Sequence, residues 1–115
     1  MPYEVTNRLG KVVWSDEAIA TLAGAAASEC PGVAGMAARG VGAGLAELLG
    51  RESLARGVEV SVRGGKVHLT LNIMVGYGNR IPAVGREAAE RVCRAVQEAG
   101  IPVGHVTVHV QGVRV

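Results

Sequence analysis

Three histidines, His68, His105 and His109, are the residues whose chemistry is easiest to imagine at work in this chain. An imidazole can ligate a metal, accept a proton or donate one near neutral pH. His105 and His109 lie four apart in an alternating segment. On an extended strand they point the same way but stand roughly 13 Å apart at about 3.3 Å per residue. They cannot share one metal ion, and His68 can approach either only if its strand pairs with the last one. Solvated histidines on a strand face are the expectation.

The remaining chemical candidates are thin. Cys30 and Cys93 lack the CxxC spacing of a zinc or redox site and sit in apolar helical patterns, which reads as two buried free thiols. Gly40, Gly42 and Gly44 miss the dinucleotide fingerprint, because Leu45 stands where the third glycine belongs. No Gly-Lys-Ser/Thr follows to cradle a phosphate. Gly32-Val33-Ala34-Gly35 has the GxxG spacing of one RNA-binding module but carries no basic residue inside the turn. Ser15, Ser28, Ser53 and Ser61 lie in no nucleophile elbow, and the carboxylates suit helix caps and wet helix faces. No constellation meets the requirements of an active site. The residues argue for a protein that acts without catalysis, cofactor or metal.

The elements that would hold these residues are legible in the periodicity. Residues 9–14 are short and β-branched, a strand. Ser15 then caps a helix whose first turn carries Asp16 and Glu17, and Ile19, Leu22, Ala23, Ala26 and Cys30 recur at helical spacing up to Pro31-Gly32. Residues 33–36 form a strand or an extended connector, and residues 37–57 a glycine-rich loop around a short helix at 43–49. Val58, Val60 and Val62 alternate with polar residues, Gly64-Gly65 signals a tight hairpin, and Val67, Leu69, Leu71, Ile73 and Val75 alternate with His68, Thr70, Asn72 and Met74. A helix from about 82 to 99 carries a stripe of Val84, Ala88, Val92, Val96 and Ala99, with i,i+4 pairs Glu87–Arg91 and Glu90–Arg94 opposite. Gly100 and Pro102 end it, and Val106, Val108 and Val110 mark a last strand.

The order β-α-(β)-β-β-α-β predicts an α+β domain, residues 1–115, with a small mixed sheet carrying both helices on one face. Its other face, polar on every strand, meets water or another protein. The 115 residues suit one domain, and an apolar share of 49% excludes a disordered chain. With no Phe, the core must be aliphatic. Twelve basic against ten acidic residues supply no cationic field, so no nucleic-acid partner is expected. The first ten residues lack a signal-peptide core, and the apolar run 18–38 contains Glu29 and Pro31. Neither inserts directly into a bilayer, and the expectation is a cytoplasmic protein.

Taken in order, these residues resemble one family. Gly10-Lys11-Val12-Val13 leads into Ser15-Asp16-Glu17-Ala18-Ile19-Ala20, then Leu22 to Glu29, then Pro31-Gly32-Val33-Ala34-Gly35-Met36. Further on come Gly57-Val58-Glu59-Val60, Val75-Gly76-Tyr77-Gly78-Asn79-Arg80-Ile81-Pro82 and Val106-Thr107-Val108-His109-Val110-Gln111-Gly112-Val113. The set looks like the alkaline shock protein family of bacterial general-stress proteins, over residues 3–115. Ala88-Ala89-Glu90 stands where the family has Val-Gln-Glu, and Gly40 to Gly44 replaces a charged segment. The resemblance implies a small, non-enzymatic cytoplasmic protein linked to envelope stress and, in some members, to fatty-acid or phospholipid metabolism. It also implies self-association, or contact with the membrane through an anchoring protein partner.

Residues and resemblance together point to a scaffold or adaptor that works through its surfaces. The candidate surfaces are Leu45, Leu48 and Leu49 in the glycine-rich segment, and the turn carrying Tyr77, Asn79 and Arg80. Three leucines in one short helix exceed what that loop can bury locally, and Tyr77 sits between two glycines, where it can serve as an exposed anchor. Two alternatives are an RNA-binding module using the sheet or the GxxG turn, and a small-molecule or lipid binder or an enzyme using the histidines.

Overall fold

A computed structural model describes residues 3–37 and 55–115. Two short strands come first: β1, Tyr3–Asn7, pairs antiparallel with β2, Gly10–Trp14. The periodicity pointed to one strand starting at 9; instead Arg8 and Leu9 turn the chain, and Leu9 at the tip is 91% exposed. Tyr3–Asn7 is too short to announce itself without the partner that pairs with it.

Helix α1, Asp16–Ser28, starts as its cap residue predicts, with the Ala18 N–H donating to Ser15 Oγ at 3.0 Å. Its buried face, Ile19, Ala20, Ala23 and Ala27, consists mostly of residues small enough to let neighbours come close. Beyond Gly32 the chain enters β3, Val33–Met36, a true strand that pairs antiparallel with the end of β5. β4, Val58–Arg63, pairs antiparallel with the start of β5, Lys66–Gly76. Their turn puts Gly64 and Gly65 at φ of 60° and 75°, as a primed hairpin turn requires. α2, Ile81–Glu98, then crosses the sheet to β6, Val103–Arg114, which lies parallel to β5.

The domain is therefore α+β with a mixed sheet, in the order β-β-α-β-β-β-α-β. β5 is central: β4 and β3 share one of its edges in succession, and β6 occupies the other. Val67, Leu69, Leu71, Ile73 and Val75 of β5 meet Ile19, Ala23 and Ala27 of α1 and Val84, Val92 and Val96 of α2 in one aliphatic core, so both helices cover the same face. Tyr3 and Trp14, paired at the base of the β1–β2 ribbon, are packed against that core.

The opposite face, expected to meet water or another protein, is in part closed by the domain itself. Asn72 is 1% exposed, and Met74 is buried beside it. Asn72 survives burial because its amide is satisfied: Nδ2 donates to Gly57 O (3.4 Å) and Glu59 Oε2 (3.3 Å), while Oδ1 accepts from Gln111 Nε2 (2.8 Å). Of the two expected ion pairs on α2, Glu87–Arg91 closes at 3.1 Å. Glu90 and Arg94, both exposed, form no ion pair among the described residues.

Candidate interaction surface

The turn between β5 and α2 is built by backbone bonds that leave its tyrosine outside. The Asn79 N–H and Nδ2 both donate to Gly76 O, at 3.3 and 2.9 Å, closing a tight loop around Tyr77. The Gly76 N–H donates to Gly32 O (2.9 Å), and the Tyr77 N–H donates to Arg114 O (2.8 Å), so the loop is tied to the α1–β3 connection and to the end of β6. Tyr77 itself is 77% exposed. Asn79 serves as the brace of the turn, and Arg80 is the extended N-cap residue of α2, without a side-chain cap bond. Leu45, Leu48 and Leu49, with the helix expected at 43–49, lie outside the described residues.

A strip of apolar surface adjoins Tyr77. α2 runs antiparallel to β6 and touches it where a Cβ on Gly85 would meet Val108 Cγ1 at 3.9 Å. One helical turn earlier, Ile81 lies towards the C-terminal half of the strand. Ile81, Val110 (38%) and Val113 (44%) all stay partly exposed. The Tyr77 N–H donates to Arg114 O, which places the tyrosine turn at the same end of the sheet as Val113.

The polar face holds the histidines. Because β5 and β6 are neighbours, His68 meets His105: the ring centroids are 5.4 Å apart and the His105 N–H donates to His68 Nδ1 at 3.1 Å. The bond forms at a bulge, where β6 slips one residue between the pairs Val67–Val103 and Leu69–Val106. Only Gly104 leaves room for the ring, since a Cβ there would fall 2.7 Å from His68 Nδ1. An acceptor Nδ1 is unprotonated, so the neutral ring carries its proton on Nε2. His109 pairs with Asn72 further along. Among the described residues no group of three or more His, Cys, Asp or Glu could hold a metal ion. A shallow cleft of about 190 Å³ beside His68 and His105 is lined by Glu59, Ser61, Arg63, Thr70 and Thr107.

The GxxG spacing turns out to be structural. Gly32 has φ +92°, and a Cβ there would lie 2.6 Å from Val84 Cγ2, so it is the point where the α1–β3 connection meets α2. Cys30 is a buried free thiol as expected, and Cys93 is half-buried and free. No helix among the described residues is long and apolar enough to cross a membrane.

What these observations define is an α+β domain that carries a braced tyrosine turn, partly exposed valines and a long outer strand on its surface. Residues 4–115 match the model of the alkaline shock protein family, described as having a cell envelope-related function, and the chain belongs to that family. It is 38% identical over 117 residues to the uncharacterized protein YloU of Bacillus subtilis, covering 100% of this chain and 98% of that protein. The uncharacterized protein Spy1614 of Streptococcus pyogenes is 30% identical over 117 residues, covering 100% of this chain and 97% of that protein. The uncharacterized protein YqhY of Bacillus subtilis is 29% identical over 115 residues, covering 99% and 84%. No solved structure matches the chain.

Proposed function

We propose that this protein is a non-enzymatic adaptor or scaffold of the cell-envelope stress response or of lipid homeostasis, working by self-association and protein contacts. Its place is the cytoplasm, where a membrane-anchoring protein partner brings it to the envelope. The observation that carries the reading is Tyr77, 77% exposed on a turn whose backbone is already fixed by Asn79, Gly32 and Arg114. An aromatic side chain held out on an ordered loop loses little conformational entropy when a partner covers it, which is what an anchor residue needs. The family's cell envelope-related description supplies the setting.

Sedimentation velocity over a range from micromolar to near-millimolar protein tests the self-association. The sedimentation coefficient is expected to rise with concentration; a single monomeric species throughout removes that part of the reading. For the contact role, Tyr77→Ser is expected to weaken capture of the anchoring membrane protein at least about tenfold, a loss of roughly 1.4 kcal/mol or more, as a central aromatic anchor does. Unchanged capture would show that the turn is not the contact.

A further inference from the structure

β6 is the outer strand of the sheet, and its free edge has no partner strand among the described residues. At 12 residues it is long for an edge, and from position 103 to 113 it contains no Asp, Glu, Lys or Arg and no Pro. Natural edges are normally guarded by such residues, because a row of unpaired backbone N–H and C=O groups templates another strand. Here the guards are two bulges, one at Gly104-His105 and one at Gln111, and they leave a regular run from 106 to 110 between them. The side chains at this edge are unfinished too: Val110 and Val113 point to the core side yet stay 38% and 44% exposed, beside Ile81 and Tyr77.

We infer that the outer edge of β6 pairs antiparallel with the same edge of a second copy of this chain, about a two-fold axis near Val108. The inference rests on the self-association proposed above and names the surface that carries it. The chemistry of the edge selects the occupant. Backbone groups call for an extended strand, and a strand free of charge matches one equally free of charge. A two-fold axis at Val108 sets Val106 against Val110 of the partner and Thr107 against His109 of the partner. No charged residue of the run faces a like charge in that register. The pairing joins two sheets into one, carries the aliphatic layer across the junction and leaves neither copy with an open β6 edge. A closed dimer follows, because an isologous contact uses the same patch on both copies.

Thr107 and His109 are exposed, so charges placed there leave the core alone. Two double variants serve: Thr107→Lys with His109→Lys, and Thr107→Glu with His109→Glu. Each alone is expected to weaken self-association by about 100-fold in sedimentation equilibrium, since like charges meet across the axis. An equimolar mixture of the two is expected to associate within about tenfold of the unmodified protein, because opposite charges then face each other. Circular dichroism of each variant checks that the fold is kept. If both variants associate as the unmodified protein does, the β6 edge is not the interface, while self-association through another surface stands. If the variants are folded monomers that the mixture does not rescue, the antiparallel register is wrong and the inference falls. An unmodified protein that stays monomeric removes both the inference and the self-association it rests on.

Discussion

Cys30 shows how a single residue's surroundings decide its behaviour. Burial pushes its thiol up, the nearby Glu87 carboxylate adds to the rise, and the Arg91 guanidinium partly offsets it. A raised value in the folded state means that the protonated thiol is favoured by folding. That contribution is fully present below the ordinary thiol range of about 8.5 and is lost as pH rises through the folded value. Urea denaturation from pH 7 to pH 10 is expected to show stability falling on the alkaline side. In Cys30→Ala that slope should flatten, from a starting stability about 1 kcal/mol lower. An unchanged slope would place the alkaline loss elsewhere. Burial of this thiol was legible from its apolar helical neighbours. The contact of His68 with the His105 backbone was not, because it depends on two strands 37 residues apart becoming neighbours.

Among the elements, the connection from α1 into β3 is the point where local conformation and packing meet. Gly32 sits at φ +92° and faces Val84 of α2 and Asn79 of the tyrosine turn at close range. Any side chain there is strained by the backbone and collides with a packed valine. Gly32→Ala is expected to destabilise the domain by about 1–3 kcal/mol. It should also disturb the amide signals of Gly76 and Tyr77, because the Gly76 N–H donates to Gly32 O. A variant as stable as the parent, with those signals unmoved, would refute the packing role. The GxxG that begins at Gly32 shares only its spacing with a nucleic-acid turn, since no basic residue lies inside it. The spatial neighbours of Gly32 give it a different purpose.

At the scale of the whole molecule, the domain is elongated. Its axes measure 52 × 23 × 22 Å and its radius of gyration is 14.3 Å, above the roughly 13 Å of a compact chain this long. The β1–β2 ribbon is a separate two-stranded sheet, with Val12 and Val13 exposed and only its base, Tyr3 and Trp14, packed on the core. A ribbon of two strands is marginal by itself. Hydrogen exchange is therefore expected to open β1 and β2 well before β5, whose amides should exchange only through global unfolding. Equal protection of ribbon and central strand would mean that the ribbon is covered in solution.

Both helices, the hairpin at Gly64-Gly65 and the aliphatic alternation of β5 could be read directly from the residues, because caps, turn glycines and periodicity are local properties of the chain. Local chemistry likewise made Tyr77 a candidate, by its place between two glycines. Only the folded chain decided that β6 lies parallel to β5 as an outer strand, that Tyr3–Asn7 is a strand, that Asn72 is buried and that His68 meets His105. Strand order, edges and cross-strand partners are settled by which distant segments bury each other's apolar faces, and a one-dimensional pattern of residues carries no term for that.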